Sequence, residues 1–265
     1  MTTAYDQYPA DATVYLAAMR FEATAILRLL DRKRRVRDPE GLRVVAGSLG
    51  RRPVVVAISG IGAQAARRAA ETCVRLAGCG RCRRVVWIGI AGGLSPDLQV
   101  GDLVVARSAL APDRPPVDLD DALVAAATAR NCRAGVVVTA PRVVAGADAR
   151  AALWRRAGSP AVTAVDMESW PAAQVLHAAG VRFAVLRAVS DTAAQELPGF
   201  LQHVDAPEAG GTGRGHIVRA AVLRPANWVA LGAFRLRAGR HVRRLAAVAA
   251  ALSRQPATAS SASEP

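Results

Sequence analysis

The sequence of 265 residues is 52% hydrophobic and 21% charged, enough apolar material for a sizeable core and incompatible with disorder, and its length suits one α/β domain. Aromatics make up only 4%, so the core has to be built from Ala, Val and Leu. The formal charge is +14, and nine arginines with no acid between residues 209 and 255 favour an anionic partner: nucleic acid, phospholipid or an acidic protein.

In chain order, the opening MTTAYDQYPADAT carries acids and Pro where a secretion signal carries a basic head and an apolar stretch, so residues 1–12 are expected to be a flexible N-terminus. Short apolar runs then alternate with helical patterns. Strands are predicted at 13–18, 53–59, 84–90, 102–106, 135–140, 161–165 and 183–190, and helices at 22–30, 63–76, 120–131, 147–156 and 168–179. VVVAIS, VVWIGI and FAVLRAVS are apolar on both faces, as in central strands covered by helices on each side. The predicted fold is therefore α/β, a mixed, mostly parallel central sheet flanked by helices in a three-layer sandwich. Residues 195–215 are polar and rich in Gly and Pro and read as a loop. A basic helical extension follows, spanning about 215–252 and broken near Gly239, with Trp228, Leu231, Leu245, Val248 and Leu252 on one face and Arg240, Arg243 and Arg244 on another. Residues 13–252 thus form one domain, and 253–265 form a disordered tail by composition. No apolar run approaches the roughly 18 residues of a membrane span, and the expected location is the cytoplasm.

Cys79 and Cys82 form a lone CxxC that precedes a strand instead of opening a helix, and with Cys73 it still lacks a fourth ligand. No metal site is expected, and Cys73, Cys79, Cys82 and Cys132 read as free thiols.

Ligands in such folds collect at the carboxyl ends of strands, and four of those ends are distinctive. IGIAGGLSPDLQVG (88–101) turns on glycines, which allow close backbone approach to a ligand but equally serve a plain strand-to-loop turn. It has neither GxGxxG spacing nor a following GK[ST]. VDME places Asp166 and Glu168 two residues apart, pointing in different directions, with Glu168 at a helix N-terminus where a carboxylate is stabilised by the dipole. LRAVSD ends a strand on Asp191, which is either a cap for the next element or, partly buried, a general acid. Glu22 opens the first helix. Singly these are weak signals; jointly they describe a site.

AAMRFEA (17–23), SGIG (59–62), GIAGGLSPDLQVGDLVV (89–105), AVDMES (164–169) and FAVLRAVSDTA (183–193), in this order, resemble the nucleoside phosphorylase/nucleosidase superfamily. Within it the chain looks like the methylthioadenosine/S-adenosylhomocysteine nucleosidase branch, and the resemblance covers about residues 13–195. It implies that Asp191 protonates N7 of a purine, that Glu168 binds the ribose hydroxyls, that Met167 packs on the sugar and that Glu22 activates water. Gly92, Gly93 and Ser190 complete the implied substrate-binding set with Val143, which stands near the purine-stacking aromatic of the nucleosidases. Arg142 and Trp170 are the candidates to compensate for that missing ring. Ile90 stands where nucleosidases often place Ser or Thr. The apolar IGIAGGL replaces the Arg-containing phosphate motif of many phosphorylases, which favours water over phosphate. No metal or organic cofactor is implied, and homo-oligomers are.

SDTAAQELPGF followed by GHIVRAAVLRPANWVALGAFRLRAGRHVRRLA resembles the hopanoid-associated branch of the superfamily, which implies adenosylhopane as substrate and adenine and ribosylhopane as products. A helix with Trp, Phe and Leu opposite arginines also suits an anionic lipid surface, while an ordinary helix packed on the sheet with solvated arginines reads equally from the pattern. Nucleic acid is not an expected partner, because no recognition motif or stacking platform accompanies the arginines. Two rivals stand beside the lipid-linked nucleosidase: a nucleosidase or phosphate-dependent phosphorylase for small nucleosides, and a non-catalytic nucleoside- or lipid-binding protein.

Overall fold

A computed structural model describes residues 4–197 and 225–254, with side chains in the last helix from Gly239 onward. Ten strands form one mixed sheet: β1 (Ala12–Ala17), β2 (Asp31–Arg37), β3 (Arg43–Leu49), β4 (Arg52–Ile58), β5 (Cys82–Gly93), β6 (Leu103–Leu110), β7 (Val117–Asp118), β8 (Arg133–Thr139), β9 (Thr163–Asp166) and β10 (Phe183–Asp191). The helices are α1 (Arg20–Leu27), α2 (Ala63–Gly78), α3 (Asp121–Thr128), α4 (Ala147–Arg156), α5 (Ser169–Ala178) and α6 (Pro225–Leu252).

β5 organises the sheet because its central run VVWIGI is apolar and is covered on both faces. One edge pairs with β10 in parallel along almost its whole length, up to Gly92 opposite Asp191. The other edge is shared: β1 pairs with it as far as Trp87, and β9 takes over antiparallel at Gly92 and Gly93. β10, β6, β8 and β9 continue the pairing round to β5 again, so five strands close into a ring. β1, β4, β3 and β2 extend from it as an open wing. Between the departure of β1 and the arrival of β9, the edge of β5 is bare. A gap of this kind at the carboxyl ends of strands is where α/β sheets accept ligands.

Two apolar layers hold the helices on. Ala66, Ala69, Ala70, Cys73 and Leu76 of α2 and Ala172, Ala173 and Leu176 of α5 pack on one face. Ala23 and Ile26 of α1, Leu123 and Ala127 of α3, and Val242, Leu245, Ala246, Ala249 and Leu252 of α6 pack on the other. Small side chains let these helices approach the sheet closely, as a core poor in aromatics requires.

Several expectations need correction. The glycine stretch after Ile90 continues β5 and has its neighbours on both sides; it is not a turn. The outer strands β2 and β3 were not among the predicted elements. The segment before β1 is anchored at Tyr8, which is buried with its hydroxyl donating to Asp38 Oδ1 at 2.6 Å. The last helix runs through Gly239 without a break. Its Leu245, Val248 and Leu252 are buried in the second core layer, so this stretch of the apolar face is committed to the domain and not to a lipid surface. Tyr15 donates to the Ala249 carbonyl at 2.7 Å and Arg84 to that of Leu252 at 2.8 Å, fixing the helix end on the sheet. Arg240, Arg243 and Arg244 are exposed, and the side chains of Trp228 and Leu231 lie outside the described residues. Among the described residues, no helix is long and apolar enough to cross a membrane.

Candidate active site

A cavity of about 200 Å³ occupies the gap beside β5. Glu22, Val143, Met167, Glu168, Ser190 and Asp191 all line it, as do Gly92 and Ile90. Glu22 and Asp191, 169 positions apart in the chain, are thus brought together beside the carboxyl ends of the strands. Gly93 does not line the cavity; it pairs with Ala164 of β9. Of the two residues considered as substitutes for a stacking aromatic, Arg142 lines the cavity. Trp170 does not: its indole N–H donates to the Pro115 carbonyl at 2.9 Å and Arg114 lies over its ring.

One wall is acidic. Glu22, at the start of α1, accepts from the Met19 N–H at 2.8 Å and from the Ile90 N–H at 3.0 Å. The second bond satisfies a donor of β5 in the unpaired gap. Glu22 comes so close to β5 that a Cβ on Gly89 would lie 2.8 Å from its Oε1; only glycine leaves that space. Glu168, the residue before α5, accepts from the Gly62 N–H at the start of α2 at 2.7 Å. Both carboxylates are almost fully buried. Burial pushes the Glu22 carboxyl up to about 7, against backbone hydrogen bonds from Ile90, Met19 and Ala18 and the Arg187 charge, which pull it down. Burial and the neighbouring Asp166 push Glu168 up as well.

Asp166 is differently employed. Its Oδ1 accepts from Thr139 at 3.0 Å and from the first N–H groups of α5, and its Oδ2 from Arg187 Nη2 at 2.7 Å and Nε at 2.9 Å. Arg187 stands in the middle of β10 and is 1% exposed. Its guanidinium also reaches Ser169 Oγ and the carbonyls of Trp87 and Leu186, so every donor nitrogen is used. One buried cation therefore underlies three carboxyl groups, Asp166, Glu168 and Glu22. The wall keeps an excess of acid, which suits a ligand that develops positive charge.

Asp191 also lines the cavity. The Ser190 hydroxyl is 2.5 Å from its Oδ1, and Arg150 Nη2 is 2.5 Å from its Oδ2, with both partners of this ion pair buried. Arg150 and Arg187 were missed in the sequence. Arg187 had a readable signal, a lone charge inside the apolar run FAVLRAVS that has to find a buried counter-charge.

The raised Glu22 carboxyl has a consequence for stability. A carboxyl that rises from 4.5 unfolded to about 7 folded stabilises the protein fully below pH 4.5, and that contribution is lost as pH rises through 7. Glu22→Gln is therefore expected to gain stability relative to the unsubstituted protein by roughly 2–3 kcal/mol between pH 5 and pH 8. Urea unfolding of both at the two pH values checks this; a pH-independent difference would contradict it.

A family model described as the phosphorylase superfamily matches residues 12–216. The chain belongs to the phosphorylase superfamily. Solved structures of the same fold include the futalosine hydrolase of Helicobacter pylori, 20% identical, covering 92% of this chain and 97% of that one with a TM-score of 0.69. An S-adenosylhomocysteine nucleosidase from Streptococcus pyogenes in complex with 5-methylthiotubericidin is 22% identical, covers 93% and 98%, and has a TM-score of 0.70. The MTA/SAH nucleosidase of Streptococcus pneumoniae in complex with 8-aminoadenine is 23% identical, covers 91% and 98%, and has a TM-score of 0.68. At these identities the likeness is one of fold.

Proposed function

We propose that the chain is an N-ribosyl hydrolase that releases adenine from a 5′-modified adenosine, the 5′ substituent being a hopanoid. The observation that carries this reading is that Asp191, Glu22 and Glu168 line one cavity. Cleavage of an N-glycosidic bond needs a proton for the departing base, negative charge beside the cationic sugar and a base for the attacking water. Asp191 gives the proton to N7, Glu168 holds the ribose hydroxyls, Met167 packs on the sugar, and Glu22 takes a proton from water. A carboxyl pushed up to about 7 is well matched to a base working near neutral pH.

Water is favoured over phosphate by the charges on the sugar side. Arg187 is committed to Asp166, and Arg150 to Asp191. A phosphate dianion would have to sit against Glu22 and Glu168, and among the lining arginines only Arg142, exposed and away from any buried pair, would be left to meet it. The hopanoid rests on the motif resemblance through residue 200 and beyond, and on the apolar lining from Met19, Ile61, Ile90 and Met167. A volume of about 200 Å³ is at the small end for a ligand pocket, so a bulky 5′ substituent has to leave through the mouth.

The test is adenine release from adenosylhopane in liposomes, with and without phosphate, beside methylthioadenosine. Release from the hopanoid without phosphate is expected. Release from methylthioadenosine alone would overturn the hopanoid and keep the nucleosidase; release from neither would leave a binding protein.

A further inference from the structure

α4 is mostly exposed, and its one fully buried residue is an arginine. Arg150 is 1% exposed, and its guanidinium joins two pieces of chain at the cavity, the loop after β8 and the end of β10. Nε donates to the Val144 carbonyl at 2.8 Å, in the loop after β8. Nη1 donates to the Thr192 carbonyl, just beyond β10. Nη2 lies 2.5 Å from Asp191 Oδ2. That last contact is an ion pair without hydrogen-bond alignment, and among the described residues Oδ2 has no hydrogen-bond partner. The backbone makes room for the pair, since a Cβ on Gly92 would lie 3.0 Å from Oδ2 and 3.7 Å from Nη2. Asp191 is thus gripped at Oδ1 by Ser190 and flanked at Oδ2 by a fixed cation, with an acceptor site on Oδ2 still open in a buried cavity wall.

We propose that Arg150 is the positioning residue for proton delivery by Asp191. The proposal rests on the nucleosidase reading above. Before the step Asp191 takes up a proton from solvent at the open Oδ2; as the C1′–N9 bond breaks, its electron pair goes to the base, the Asp191 O–H bond breaks and the N7–H bond forms. The carboxylate left on Asp191 is met by the Arg150 guanidinium, which is already in place and costs no reorganisation. Water adds its oxygen to C1′ and gives a proton to Glu22. Proton exchange with solvent then returns Glu22 and Asp191 to their starting states. A fixed cation beside the donor favours the charge-separated side of that transfer, so it lowers the barrier only when a proton moves. By tying Val144 and Thr192 to the same guanidinium, Arg150 also holds the carboxylate plane toward the base.

A residue that works only through Asp191 should lose its effect when Asp191 can no longer give a proton. The experiment is a double-mutant cycle on the full chain, with base release as the readout. Arg150→Met is expected to lower kcat by about 10–10²-fold with KM changed less than about threefold, and Arg150→Lys to retain more of kcat by keeping a cation. Arg150→Met combined with Asp191→Asn should be no slower than Asp191→Asn alone. The double variant also leaves no unpaired buried charge, so it folds even where Arg150→Met alone is weakened. Multiplying losses in the double variant, or Arg150→Lys no better than Arg150→Met, would overturn the proposal and leave the nucleosidase reading standing. If the unsubstituted protein releases no base, it is that reading which fails.

Discussion

Asp191→Asn is expected to slow base release by about 10²–10⁴-fold, the usual worth of a positioned general acid. The amide keeps the shape of the carboxyl and its acceptor oxygen for the Ser190 hydroxyl, so the cavity persists and nucleoside affinity should change little. What it removes is the proton for N7, without which the base has to leave as an anion. Binding of a non-cleavable adenosine analogue, measured by calorimetry beside turnover, separates the two effects. A silent binding protein would show the same affinity with no turnover in either form, and an enzyme in which Asp191 only shapes the pocket would lose both together. The substitution leaves Arg150 without its counter-charge in a buried place, so some loss of thermal stability should accompany the kinetic effect.

The largest expected effect on stability belongs to Arg187→Met. Arg187 and Asp166 are each 1% exposed at the side chain and 2.7 Å apart. Removing the cation leaves Asp166 buried and uncompensated, with two further carboxyls nearby, at a cost of about 3–5 kcal/mol. For a domain of this size that corresponds to a fall in Tm on the order of 10 °C. Adding Asp166→Asn should recover a good part of it. The amide oxygen still accepts from Thr139 and from the α5 backbone, and no charge is left unpaired. Thermal unfolding of the single and double variants decides the matter; a single variant as stable as the parent would contradict the description of Arg187 as the cation that underlies the acidic wall.

The strand ends that make the site were readable because the strands themselves are. Apolar runs such as VVWIGI and FAVLRAVS are buried on both faces, and each is followed by a residue whose chemistry stands out, so Glu22, Glu168 and Asp191 could be gathered before their geometry was known. Their mutual approach depends on the closure of β5, β10, β6, β8 and β9 into a ring, and no local pattern encodes a pairing between strands so far apart in sequence. Arg150 was illegible for another reason. In ARAALWRR nothing but its turn of helix distinguishes it from Arg155 and Arg156, and in a chain this rich in arginine a buried one has no signature. β2 was hidden because an edge strand needs few inward side chains: in DRKRRVR only Val36 is buried, and the rest reads as a solvated charge run. The last helix shows what periodicity leaves open. Spacings of three and four gave Leu245, Val248 and Leu252 a common face, but whether lipid or the domain's own sheet covers that face depends on where the helix lands.

The central claim is that water, activated at Glu22, is the nucleophile. The direct measurement is base release in water enriched in oxygen-18, with and without phosphate, followed by mass analysis of the sugar product. The account predicts one labelled oxygen at C1′ and a rate indifferent to phosphate. An unlabelled ribose 1-phosphate ester, formed only when phosphate is present, would contradict it.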